Sequence, residues 1–109
     1  MYNEKEYGAI INTATSGDNT IIAAPTGGGY IAVDFVSLLP TTANSITFKS
    51  GTTAKSGPLP LADKQALTWE NSWRCQYGVI ECAPNEAFVI NLGSAAQVGG
   101  MVRYRIIGN

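Results

Sequence analysis

The sequence predicts an all-β protein, a single β-sandwich, jelly-roll-like domain of about eight short antiparallel strands. Three observations lead there. Apolar residues alternate with polar ones at a period of two. Turn signals built from Gly, Pro, Asn, Asp and Ser recur roughly every 8–12 residues. No segment sustains the 3.6 period of a helix. A chain of 109 residues makes one domain, here 8–109, with residues 1–7 read as an N-terminal arm. Area scaling gives it a folded surface of about 5,800 Å².

Residues 9–15 hold β-branched Ile10, Ile11, Thr13 and Thr15 and read as a first strand. Ser16, Gly17, Asp18 and Asn19 make a turn. Residues 20–24 form a short strand stopped by Pro25, and Gly27, Gly28 and Gly29 form a loop. Residues 30–39 are the longest strand candidate. Ile31, Val33 and Phe35 share one face, and Ala32, Asp34, Val36 and Leu38 the other. Apolar residues on both faces mark a central strand or one crossing a subunit contact. Asp34 is the exception, and it reads as a satisfied polar group at a bend in the sheet.

Residues 45–50 alternate, with Ile46 and Phe48 inward. Residues 55–61 are extended, but Pro58 and Pro60 cannot donate ladder hydrogen bonds, which places this stretch at an edge. Residues 66–70 and 79–82 read as further strands, and 71–78 as a loop or short strand carrying much of the aromatic mass. The chain ends in what reads as a β-hairpin, with arms 88–92 and 101–107 and a glycine-rich connection over 93–100. In its second arm Val102, Tyr104 and Ile106 share a face, and Arg103 and Arg105 point the other way.

Composition narrows the function. Hydrophobic residues make up 45% of the chain, which argues against disorder. Charged residues make up 14%, against roughly 25% in an average domain. Such a surface is expected to be partly covered by partners. The net charge is −1, with no basic tract, so phosphate neutralisation and nucleic-acid binding are not expected. No apolar run nears the roughly 20 residues of a membrane helix. The polar first residues lack the apolar core of a secretory signal, so synthesis in a cytoplasm is expected.

The chain has no histidine, which removes Ser-His-Asp and Cys-His catalysis and the commonest metal ligand. Two cysteines alone do not build a zinc site. The glycine run at 27–29 lacks the Lys-Ser/Thr of a phosphate loop. Glu81 and Glu86 read as solvated acids and not a glycosidase pair. Asp18, Asn19 and Asp63 read as turn residues and not calcium ligands. Cys75 and Cys82 could bridge across a tight turn at 78–79, although a cytoplasmic origin favours free, buried thiols. No catalytic residue, metal or cofactor is expected.

Trp69, Trp73 and Tyr77 are the sharpest candidates for a functional surface. Three readings stay open for them: core packing, a protein interface, or a sugar-stacking platform. Arg74 beside them supplies fork-like hydrogen bonds in either binding case. Tyr2 and Tyr7 in the N-terminal arm are further interface candidates.

Four segments carry a resemblance: GDNTII at 17–22, NSITFKSG at 44–51, SGPLPL at 56–61 and GGMVRY at 99–104. They resemble small β-sandwich structural proteins of tailed-phage virions, including head decoration (cement) proteins, over nearly the whole chain from Ala9 to Ile107. Similar modules occur in phage fibres and spikes. The resemblance implies a non-enzymatic subunit on the capsid surface, bound to the major capsid protein and often a symmetric trimer. The alternative is a receptor- or carbohydrate-binding module of a fibre or spike.

Overall fold

The computed structural model describes residues 5–71 and 78–108. Ten strands, and no helix among the described residues, form two antiparallel sheets packed face to face. The strands are β1 (Glu6–Thr13), β2 (Gly17–Ile22), β3 (Tyr30–Pro40), β4 (Asn44–Ser50), β5 (Thr53–Ala54), β6 (Leu59–Leu61), β7 (Leu67–Glu70), β8 (Ile80–Glu81), β9 (Phe88–Leu92) and β10 (Val98–Ile107). The first sheet runs β1-β10-β3-β7, with β8 also on β3. The second runs β2-β9-β4-β5, with β6 also on β4. The total surface is 5764 Å², in line with the area expected of a compact domain of this size.

The pairing is nested. β1 pairs with β10, β2 with β9, β3 with β7, and β4 with β5 and β6. A long antiparallel ribbon wrapped round a core gives this order, which is the jelly roll. β5, of two residues, is an addition to the expected set of about eight, whereas β8, also of two residues, falls within the strand expected at 79–82.

The nesting corrects the C-terminal hairpin. β9 lies in the second sheet and β10 in the first, so residues 93–97 cross from one layer to the other. Val98, Gly99 and Gly100 are strand, not turn. Phe88, Ile90 and Leu92 face Val98 and Val102 across one core. A single apolar face on each run fits a hairpin and a sandwich corner equally well, and a small, glycine-rich connection permits both. Asn44 fastens the crossing. Its Nδ2 donates to the carbonyls of Ser94 and Ala96, and its Oδ1 accepts from the Ser94 amide.

Other boundaries shift by a few residues. β1 starts at Glu6, inside the segment read as an arm, and Glu6 and Tyr7 pair with Arg105 and Tyr104. β2 starts at Gly17, inside the predicted turn. The proline-bearing β6 sits on β4 at the edge of its sheet, as its missing donors require.

The core is filled by Phe48, Phe88, Ile46, Ile90, Leu92, Ile11, Ile31, Leu38 and the valines around them. Phe48 stacks on Phe88 at 5.9 Å and tilts against Trp69 at 5.1 Å. Aromatic pairs of this geometry contribute about 0.5–1.5 kcal/mol each beyond their burial.

Candidate functional site

The site is organised by a break in β3. Phe35 lies opposite Arg103 and Val33 opposite Tyr104, so Asp34 is the extra residue of a β-bulge. The bulge shifts the phase of the strand. Ile31 and Val33 face the core before it, and Val36 and Leu38 face the core after it. Phe35 is thereby turned to the outer face, which explains why this strand reads as apolar on both sides. The extra residue also opens the strand to hydrogen bonds from the segment between β7 and β8. The amide of Asn71 donates to the Asp34 carbonyl at 2.7 Å and that of Val79 to the Val33 carbonyl at 2.7 Å. Gly78 passes so close to β3 that a Cβ there would lie 2.4 Å from the Val33 carbonyl oxygen.

Asp34 is buried and satisfied, as a polar group at a bend should be. Arg105 grips it with both arms of its guanidinium, Nε to Oδ2 at 2.6 Å and Nη2 to Oδ1 at 2.8 Å. Asn71 Nδ2 donates to Oδ1 at 3.2 Å. Side-chain exposure is 4% for Arg105 and 3% for Asp34. A buried pair of this kind adds little net stability over apolar residues of the same shape, but removing one member leaves an uncompensated charge. It therefore holds the bulge in one geometry.

Above the bulge lies a cleft of about 420 Å³. Phe35 and Met101 supply its apolar lining, and Asp34 and Asn71 line it beside the ion pair. Glu6, Glu70 and Arg103 bring charge to it from three different strands. Among these residues Glu6, Asp34 and Glu70 carry carboxyl groups, and that of Asp34 is held by Arg105. Among the described residues no three His, Cys, Asp or Glu side chains gather to hold a metal. The arrangement is suited to binding: an apolar base with charges of both signs round it.

The cleft belongs to a larger surface. Tyr7, Ile10, Leu39 and Met101 are the large hydrophobic side chains left exposed among the described residues. Ile10, Leu39 and Met101 stand on the outer face of the first sheet, whereas Tyr7 is in phase with buried Ile11 and opposite Tyr104, on the other face. Ile10, 77% exposed, lies opposite Met101 in the β1–β10 register. Leu39 follows on β3, opposite Gly99.

The aromatics singled out from the sequence are not gathered here. Trp69 points inward from β7 and packs on Phe48 and the core. Tyr7 is on β1, at the opposite edge of the sheet, stacked on Tyr104 at 5.5 Å with the Lys5 ammonium over its ring at 5.4 Å. Three strand spacings, about 14 Å, separate those two strands. Tyr2, Trp73, Arg74 and Tyr77 lie outside the described residues, as does Cys75. Cys82 is a free, buried thiol, and burial pushes its pKa up to about 11. That makes it a poor nucleophile at neutral pH.

The cleft residues Glu6, Phe35, Glu70, Asn71, Met101 and Arg103 were not legible as a set. They come from four stretches of chain that only the sheet register brings together. The available signal was Asp34 in an apolar strand and Arg105 on the outward phase of β10, two opposite charges each needing a partner.

No protein-family model matches the chain, and no curated protein matches it.

Proposed function

We propose that this protein is a non-enzymatic structural subunit that works by contact with other proteins, of the decoration or cement type that binds the outside of a phage head. One observation carries the reading: Ile10, Leu39 and Met101, three of the four exposed large apolar side chains among the described residues, stand on the outer face of the first sheet, next to a cleft lined with both apolar and charged groups. An exposed apolar patch with charged neighbours is the usual mark of a protein-contact surface. The low charge content and the likeness of four segments to tailed-phage virion proteins support the same reading. The partner it implies is the major capsid protein, and the place it implies is the capsid surface. That likeness implies a trimer as well, but the proposal rests on the contact face and not on that symmetry.

The test compares phage heads assembled with and without the protein under heating and at low ionic strength. A cement subunit raises the temperature at which heads open. Equal survival of the two preparations contradicts the reading. A carbohydrate platform of Trp69, Trp73 and Tyr77 gains little support, because the Trp69 ring is used in core packing.

A further inference from the structure

The sheet edges are unequal. β1 is eight residues long, pairs with β10 in unbroken register and has no other strand beside it among the described residues. The remaining edge strands are protected in ways that discourage pairing. β2 is interrupted by a bulge between Thr20 and Ile22. β5, β7 and β8 run to two, four and two residues. β6 has three residues, one of them Pro60. β1 has no proline, no bulge and no lysine within the strand. Among the described residues no strand pairs with the outer edge of residues 7–13, and an uncharged edge of that length is matched by the same stretch of β1 in a second copy.

We infer that β1 is a self-association edge, joining two copies of the chain about a two-fold axis into one sheet that runs through both. The occupant is a second copy because the surface is self-complementary, as an isologous contact requires. A two-fold axis perpendicular to the sheet through Ile10 sets Ile10 against Ile10 of the second copy. Ala9 then meets Ile11, Gly8 meets Asn12, and Tyr7 meets Thr13. Every one of these residues is uncharged. The charged pair Lys5 and Glu6 falls beyond the ladder, so like charges do not meet across the seam. Shifting the axis to Ala9 brings Glu6 into the ladder and sets Ile10 against Gly8, which forfeits the branched pair.

The ladder explains the most exposed apolar side chain of the group. Ile10 already has Met101 as its neighbour on β10. Across the seam it gains an isoleucine at about 5 Å, so Met101 and Ile10 of each copy form one apolar row over both sheets. Seven residues span about 24 Å. A contact this narrow falls short of the roughly 800 Å² per partner of a permanent interface, so the dimer should dissociate on dilution. This inference does not rest on the virion reading, since it concerns the free edge of β1, and its two-fold pairing stands in place of the trimer that the likeness implies.

The experiment is sedimentation velocity on the full chain over a concentration series, alongside Ile10→Lys. That substitution sets two ammonium groups opposite each other, and at so exposed a position it leaves the fold intact, which circular dichroism checks. The expected result is a reversible monomer–dimer equilibrium for the native chain, weakened at least tenfold by Ile10→Lys. A second variant, Ile10→Cys, should give a disulfide-linked dimer under mild oxidation, whereas Thr52→Cys on the opposite side of the sandwich should not. A monomer at every concentration, a trimer, or a dimer indifferent to Ile10→Lys overturns the inference.

Discussion

The two sheets of this sandwich share a core but present different outer faces. On the second sheet, Lys49 Nζ bonds both carboxylate oxygens of Asp18 at 3.0 Å, and Asn91 Nδ2 donates to Asp18 at 2.7 Å. Its neighbours there include Ser45, Thr20 and Thr47, and the apolar outer residue of its central strand β9, Val89, is only 5% exposed. Polar groups satisfy one another and the face suits water. On the first sheet the outer face carries Ile10, Leu39 and Met101 in the open, Phe35 in a cleft, and an ion pair sealed beneath. The difference shows that burial and exposure have been assigned in opposite senses: the second sheet hides its apolar residue and shows its charges, while the first hides a charge pair and shows apolar groups. A face of the latter kind is one that gains by being covered.

The largest break in that comparison comes from the two ion pairs. Arg105→Met should cost about 3–5 kcal/mol, because the Asp34 carboxylate is left buried without its guanidinium. Lys49→Met on the second sheet should leave the urea midpoint nearly unchanged, because water replaces the ammonium. Equal effects would mean that the two pairs are not as differently placed as their burial indicates. Gly100→Ala comes next. A Cβ there would lie 2.0 Å from the Ser37 carbonyl oxygen and 2.7 Å from Leu38 Cα, so β10 and β3 must separate, at an expected cost of about 1–3 kcal/mol. Urea unfolding measures both.

Two smaller effects follow from titration. Burial raises the Cys82 thiol from 9.0 to about 11, so the folded chain holds this proton more tightly than the unfolded one. Its contribution to stability is complete below pH 9 and is lost as the pH rises towards 11. Cys82→Ala should flatten that part of the stability profile, and mapped alkylation of Cys82 at pH 8 should be slow until the chain unfolds. At the other end of the scale, the Asn91 hydrogen bond and then Lys49 hold the Asp18 carboxyl below its ordinary 3.8. That contribution is present above pH 3.8 and is lost as the pH falls through the lower, folded value. Lys49→Ala should move the Asp18 titration upward in an NMR pH series. An unmoved curve would show that Asn91 alone sets it.

The architecture was legible because alternation is local. The apolar phases of β4, β7 and β9 and the proline edge at β6 can be read from a few residues each. Even Asp34 could be placed at a bend, since an acid inside an apolar strand needs a reason. The layer to which β10 belongs could not be read, because the pattern says which face is buried but not which strand lies beside it. The cleft was hidden for the same reason: Glu6, Phe35, Glu70 and Arg103 meet only through the β1-β10-β3-β7 order. Aromatic residues drew attention by size, yet Trp69 is spent on the core, and the exposed apolar residues are the plainer Ile10, Leu39 and Met101.

The central claim is that the first sheet, and not the second, meets other proteins. Under the proposed virion role, its most direct test is co-sedimentation of the protein with phage heads assembled without it, comparing Leu39→Lys/Met101→Lys on the first sheet with Thr20→Lys/Thr47→Lys on the second. The account predicts at least a tenfold loss of binding for the first pair and native binding for the second. Native binding by the first pair together with loss by the second would contradict it.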